Sequence, residues 1–250
     1  MSGAPEYRPC VIIPVYEHGA TVGSVIGGLG AAGELPVILV DDGSGAGTKR
    51  SLARLAAERP GVTLVTHARN RGKGAAVLRG IETARGLGFS HALQVDADGQ
   101  HDLSRALFFL ERAAARPEAV VCGLPRFDTS APALRRRGRE ISNTWGKIVT
   151  LSDSLPDLLC GFRVYPVETT LEAARRHPID KRMGFDAEIL VRLYWKNIPI
   201  IFYPVNVTYP RDGISHYRVV RDNLRISLMF ARLFLGMLCR FPSLLARGKK

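Results

Sequence analysis

The first part of this chain alternates short apolar runs with helical segments, and that alternation narrows the fold more than any other feature. Residues 10–15, 36–40, 62–65 and 91–95 are apolar runs of strand length. Between and after them, 21–32, 49–58, 74–85 and 103–116 carry apolar residues at helical spacing. Strands that are apolar on both faces need cover on both faces, and a helix after every strand supplies it. The pattern predicts an α/β fold built on a mostly parallel sheet. Ligands in such sheets bind at the carboxyl ends of the strands, so the residues just past each run are the place to look for chemistry.

Those positions are polar each time. The first run ends in Ile13-Pro14-Val15-Tyr16-Glu17 and the second in Val40-Asp41-Asp42-Gly43-Ser44. Acidic side chains at strand ends accept hydrogen bonds from a ribose or base, although Asp-Gly also makes an ordinary turn without any ligand. Ahead of the third helix, Arg69-Asn70-Arg71-Gly72-Lys73-Gly74 joins close backbone approach to several cations, as a phosphate requires. Neither a P-loop spacing nor a G-x-G-x-x-G after the first strand is present, which argues against an ATPase and a dinucleotide dehydrogenase. The fourth run leads into Gln94-Val95-Asp96-Ala97-Asp98-Gly99-Gln100-His101. If strand geometry persists, Asp96 and Asp98 point the same way. Such a pair suits a hard cation, Mg²⁺ or Mn²⁺, that keeps part of its shell for phosphate. The same pair also serves as a turn or helix cap.

After 120–122 the rhythm changes. Residues 127–139 read as a loop rich in Pro and Arg that enters a helix near 140–149. A strand is expected over 158–165, a helix over 187–195 and a strand over 200–207. Met183-Gly184-Phe185-Asp186-Ala187-Glu188 precedes the apolar face Ile189, Leu190, Leu193 and Tyr194. Asp186 either caps that helix or deprotonates an acceptor hydroxyl. Glu188 is a second candidate base, and either carboxylate can instead organise the acceptor loop. An acceptor that is already an ionised phosphate needs no strong base.

The motifs taken together resemble the family 2 glycosyltransferases of the GT-A fold, most closely the dolichyl- or polyprenyl-phosphate mannose or glucose synthase branch. The resemblance runs from about Cys10 to Tyr217. It is carried by the Ile13 to Glu17 and Val40 to Ser44 motifs, Asn70-Arg71-Gly72-Lys73-Gly74, Asp96-Ala97-Asp98-Gly99-Gln100-His101 and Cys160-Gly161-Phe162-Arg163. It implies an inverting transfer of a hexose from a nucleotide-sugar to a lipid-linked or amphipathic acceptor. By that analogy Glu17 and Asp42 hold the nucleoside, with Asp41 supporting the pocket and Pro14 and Tyr16 beside it. Arg69 and Lys73 lie near donor base or phosphate, and Asp96, Asp98 and Gln100 form the metal and diphosphate site. Arg163 approaches a donor or acceptor phosphate, and Asp186 is the candidate base. Arg211 and Ser215 contact the diphosphate in a segment where His216 stands in place of that branch's lysine. The alternatives are a transferase for a hydroxylated lipid, pigment or polyketide-like acceptor, a nucleotidyltransferase, and a non-catalytic membrane-associated binding protein.

Charge bears on partners. The net charge is +12, and residues 211–250 hold nine Lys/Arg against two Asp. No zinc-finger, helix-turn-helix or RNA-binding sheet signature accompanies that excess, so nucleic acid is not the expected partner. Residues 224–245 are strongly apolar but broken by Arg225, Arg232 and Arg240, and an arginine mid-span is costly in lipid. The expectation is an interfacial helix whose stripe is Leu224, Leu228, Ala231, Leu235 and Leu238, its arginines reaching lipid phosphate. A helix docked on the catalytic domain is the alternative reading. Arg135-Arg136-Arg137 with Arg139 is a second candidate lipid-facing patch. Residues 1–217 are expected to be catalytic and 218–250 a basic apolar tail, with no signal peptide at 1–9. Cys10, Cys122, Cys160 and Cys239 show neither zinc spacing nor a disulfide framework, which suits a cytosolic enzyme peripheral to the inner membrane face.

Overall fold

The computed structural model describes residues 6–128, 133–176, 178–208 and 219–247. The four apolar runs form β1 (Pro9–Val15), β2 (Val37–Asp41), β3 (Val62–Thr66) and β4 (His91–Gln94). The intervening helices are α1 (Val22–Gly28), prolonged by a 3₁₀ turn at Leu29–Ala32, α2 (Ala46–Glu58), α3 (Lys73–Gly86) and α4 (Ala106–Ala115). β1 pairs in parallel with β2 and with β4, and β2 in parallel with β3. The rest of the chain supplies β5 (Val120–Phe127), α5 (Ala133–Thr150), β6 (Arg163–Pro166), α6 (Val167–Arg175) and α7 (Phe185–Trp195). It ends with β7 (Ile200–Val207), α8 (Val219–Leu238) and α9 (Phe241–Arg247). Among the described residues the strands make one sheet of order β3-β2-β1-β4-β6-β5-β7.

Successive side chains of β1 and β2 enter opposite cores. Cys10, Ile12, Ile38 and Val40 pack on one face with Ala76, Val77 and Ile81 of α3, Phe185, Ile189 and Leu190 of α7, and Phe230 and Leu233 of α8. Val11, Ile13, Val15 and Leu39 pack on the other with Val22 and Val25 of α1, Leu52 of α2 and Phe109 of α4. Both faces are covered, as continuous apolar strands require. The four parallel strands therefore open their carboxyl ends on one edge.

β6 runs antiparallel to both β4 and β5. Its register sets Arg163 opposite Gln94, so the residues that precede β6 arrive beside those that follow β4. That reversal brings Gly161 against Asp96.

Five elements depart from the sequence reading, the first being α5, which begins at Ala133 inside the stretch read as a loop to 139. β5 extends to Phe127 because β7 pairs with it along its whole length, from Val120↔Ile200 to Phe127↔Val207. The strand expected from 158 begins only at Arg163: Asp157 Oδ1 accepts the backbone N–H groups of Leu159 (3.0 Å) and Cys160 (2.7 Å), turning the chain away from the ladder. α6 fills a stretch given no element from sequence. The C-terminal helix is two helices bent by 81°, broken just before Pro242, which lacks the N–H a continuing helix needs. No single helix among the described residues is long and apolar enough to cross a membrane, although the bent pair passes by length and composition together. All four cysteines are free thiols.

Candidate active site

The polar clusters that follow β1, β2, β3 and β4 lie on the open edge of the sheet, and the structure shows how their members hold one another. Glu17 sits just past β1 at φ 59°, a left-handed conformation that costs a non-glycine residue on the order of 1–3 kcal/mol. Its carboxylate accepts hydrogen bonds from Gly45 N–H (2.8 Å) and Thr48 Oγ1 (3.2 Å) at the start of α2. Pro14 and Tyr16 are half-buried beside it.

Past β2, Asp42 accepts three hydrogen bonds. It takes His67 Nδ1 at 2.8 Å, Arg71 N–H at 2.9 Å and Gly72 N–H at 2.7 Å. Asp42 thereby binds the segment after β3 to the edge of β2. Asp41 accepts Ser44 N–H at 2.9 Å through Oδ1, while its buried Oδ2 has no hydrogen-bond partner among the described residues. Asp41 thus keeps one buried oxygen without a hydrogen-bond partner, while Asp42 holds the segment after β3. Gly43, at φ +74°, must be glycine: a Cβ there would lie 2.3 Å from the backbone carbon of Arg69. Arg69 itself is exposed.

Lys73, expected near the donor base or phosphate, contacts Asp96 and Asp186. Its Nζ lies 2.8 and 2.9 Å from the two oxygens of Asp96 and 2.8 Å from Asp186 Oδ2. Burial alone pushes the Lys73 pKa down, but Asp186 and Asp96 more than offset it, so the net shift is upward and the ammonium stays charged. Burial raises the Asp96 pKa and the Lys73 charge lowers it further, leaving it below the usual carboxylate range. Asp98 moves the other way, raised by burial and by the charge of Asp96. Its Oδ1 accepts Gln100 N–H at 3.1 Å, across Gly99 at φ +71°. β4 has ended by this point, yet Ala97 is buried between two half-buried aspartates. Gly161 leaves room for the cluster, since a Cβ there would meet Asp96 Oδ2 at 2.6 Å and Lys73 Nζ at 2.9 Å.

Asp186 lies at the start of α7 with both oxygens engaged, Oδ2 by Lys73 and Oδ1 by Gln94 Nε2 at 3.1 Å. Arg163, expected to approach a phosphate, is instead wholly buried. Its guanidinium donates to Leu158 O (2.7 Å) and Asp186 O (2.6 Å), tying the loop before β6 to α7. Glu188 is a structural hub. It accepts Asp180 N–H at 2.7 Å, Arg192 Nε at 3.0 Å and Arg232 of α8 at 2.7 Å. Arg232 thus reaches a buried carboxylate, and Arg240 caps the Trp195 ring at 4.7 Å, rather than lipid phosphate. Arg139 is likewise committed, to Asp157 at 3.0 Å. Arg211 and Ser215 lie outside the described residues.

His67 and Gln94 went unread in the sequence. Gln94 had a signal, a polar residue inside an apolar run. His67 had only its place at a strand end.

A divalent ion fits the donor set. Asp96 Oδ1 is buried with the Lys73 ammonium 2.8 Å away as its counter-ion but accepts no hydrogen bond, Asp98 lies two residues on, and Gln100 follows, so the site offers hard oxygen ligands. Among the described residues no group of three or more His, Cys, Asp or Glu side chains is arranged to hold an ion.

Residues 10–178 match the family model described as glycosyl transferase family 2. The dolichyl-phosphate β-glucosyltransferase of Dictyostelium discoideum is 31% identical over 210 residues, covering 78% of this chain and 63% of that enzyme. The chain thus spans less than two thirds of that relative. The polyprenol monophosphomannose synthase of Mycolicibacterium smegmatis is 28% identical, over 84% of this chain and 81% of that enzyme. Among solved structures, glucosyl-3-phosphoglycerate synthase from Mycobacterium tuberculosis, in complex with Mn²⁺, UDP-glucose and phosphoglyceric acid, superposes with a TM-score of 0.68 at 15% identity. That likeness covers 92% of this chain and 79% of the other and speaks to the fold. The family match crosses both acidic motifs and the Lys73 segment, on a sheet shared with enzymes that hold sugar nucleotides, and the chain belongs to glycosyl transferase family 2.

Proposed function

We propose that this protein transfers a hexose from a nucleotide-sugar, with inversion and with the help of Mg²⁺ or Mn²⁺, onto the phosphate of a lipid-linked acceptor at a membrane surface. The observation that carries the acceptor class is Asp186, whose two oxygens are held by Lys73 and Gln94. An ionised phosphate has no proton to lose, so its oxygen attacks the anomeric carbon as the bond to the nucleoside diphosphate breaks. The names of the Dictyostelium and Mycolicibacterium relatives point to the same acceptor chemistry. Asp96, Asp98 and Gln100 would hold the ion, which supplies charge neutralisation at the departing diphosphate. Asp41, with its unused oxygen, faces the nucleoside, and Glu17 and Asp42 keep that pocket in shape.

Incubation with radiolabelled UDP-glucose or GDP-mannose and a polyprenyl phosphate is expected to yield labelled lipid in the organic phase, dependent on added Mg²⁺ or Mn²⁺. Label appearing only on phosphoglycerate or on a hydroxylated lipid would overturn the acceptor, and release of pyrophosphate would overturn sugar transfer.

The membrane part of this reading rests on α8. Its inner face, Met229, Phe230, Leu233 and Met237, is buried in the core. The expected stripe is the outer face: Leu224, Leu228 and Leu235 are 62%, 61% and 63% exposed. Ile141, Trp145 and Ile148 of α5 extend the apolar surface, Trp145 stacking on Phe230 at 6.0 Å. An exposed apolar helix face on a strongly basic chain suits an anionic bilayer. The Leu228→Glu/Leu235→Glu protein is expected to lose at least about tenfold in binding to phosphatidylglycerol vesicles, with its circular dichroism unchanged. Equal sedimentation of both proteins with vesicles would remove α8 from the membrane contact.

A further inference from the structure

Two carboxylates, those of Asp96 and Asp186, meet one ammonium just past β4, and Asp98 stands two residues on from Asp96. Lys73 Nζ touches both oxygens of Asp96, at 2.8 and 2.9 Å, within ion-pair distance of each. This contact is framed rather than casual. Gly161 abuts Nζ and Asp96 so closely that a Cβ would collide with both. Gly74, next to Lys73, packs on Phe185, where a Cβ would lie 2.4 Å from that residue's Cβ. Ala75 N–H donates to Lys181 O at 3.0 Å, fixing the first turn of α3. Gln94 holds the far oxygen of Asp186 at 3.1 Å, so the second arm of the ammonium's cradle is braced as well.

We infer that Lys73 is a built-in competitor of the divalent ion: its ammonium occupies the cation's place on Asp96 in the free protein and must yield that carboxylate when the ion binds. The inference deepens the reading of Asp96 and Asp98 as a metal site and rests on it. A hard cation and an ammonium seek the same carboxylate oxygens, and Asp98 with Gln100 alone is a poor site for a hydrated ion. Affinity for free metal is therefore low until a diphosphate adds its own oxygens. Lys73 keeps a second partner in Asp186 and stays at the site after it releases Asp96. It is a positioning residue for loading.

The test measures Mn²⁺ binding by electron paramagnetic resonance, without nucleotide and with UDP-glucose or GDP-mannose, on the full chain. Without nucleotide, Lys73→Met is expected to bind Mn²⁺ at least about tenfold more tightly than wild type, because the cation facing the ion is gone. Lys73→Arg, which keeps a cation, should stay close to wild type. The double variant Lys73→Met/Asp186→Asn removes one charge of each sign. Its expected gain in affinity separates competition for Asp96 from a general rise in negative charge. It also carries the test if the single variant does not fold. Wild-type affinity in the folded double variant overturns the inference, whatever the single variant does. Mn²⁺ binding that is the same in wild type and Asp96→Asn, even with nucleotide, would instead overturn the metal site itself.

Discussion

Asp98→Asn is expected to lower kcat for sugar transfer by about a thousandfold, the scale set by removing a group that stabilises transition-state charge, with the fold intact. Asp98 is the cleaner choice of the acidic pair. Replacing Asp96 also releases Lys73, which then has Asp186 alone, whereas Asp98 accepts a hydrogen bond from the backbone of Gln100. Its carboxyl is raised by burial first and by the Asp96 charge second. A carboxyl whose pKa rises on folding makes the ionised folded state less stable, so at neutral pH the native aspartate carries a stability cost that asparagine lacks. That cost disappears as pH falls through the folded pKa and Asp98 takes up its proton. In EDTA, Asp98→Asn should therefore melt at or above the wild-type temperature near neutral pH, and the gap should close toward about pH 4. Inactivity with unchanged or raised Tm is the signature of a residue kept for function. Retained turnover, or a Tm several degrees lower at neutral pH, would move Asp98 from the active site to the scaffold.

The fold was readable because the apolar runs of the first four strands, with a helix after each, leave few alternatives to a covered parallel sheet. Strand ends were readable for the same reason, which is why Glu17, Asp41, Asp42, Lys73, Asp96 and Asp98 all fall on one edge. What each of them does there was harder to read. Lys73 was expected near donor base or phosphate because the residues around it look like a phosphate loop; the carboxylates that it contacts, Asp96 and Asp186, lie 23 and 113 positions away in sequence. Arg163 looked like a phosphate ligand, and the antiparallel entry of β6 buried it under α7 instead. Both outcomes depend on which non-neighbouring segments meet, and local pattern carries no record of that. The outer stripe of α8 shows the complementary case. Its spacing was legible, but a second apolar stripe on the same helix is what docks on the core, so the first is left facing out.

Glu188→Ala is expected to cost about 3–5 kcal/mol, the range for removing one partner of a buried ion pair. For a chain of this size that amounts to a fall of about 10 °C in Tm. Glu188 is fully buried and anchors three elements: the backbone of Asp180 in the loop before α7, Arg192 within α7, and Arg232 on α8. The two arginines are unequal. Arg192 is nearly buried, at 8% exposure, and loses its compensation when the carboxylate goes; Arg232 is 46% exposed and can be hydrated. Arg232→Met should therefore cost about 1 kcal/mol or less, and its effect should shrink toward zero in the Glu188→Ala background, where the pair no longer exists. Glu188→Gln separates this role from catalysis. As a general base, Glu188 would lose activity on conversion to the amide with little change in Tm. As the hub seen here, the amide keeps a hydrogen-bond acceptor but not the charge, so Tm falls while transfer per folded molecule persists. Full activity loss at unchanged Tm would return Glu188 to the list of bases. The opposite pattern would show that Glu188 serves the fold, joining the loop before α7 to Arg192 and Arg232.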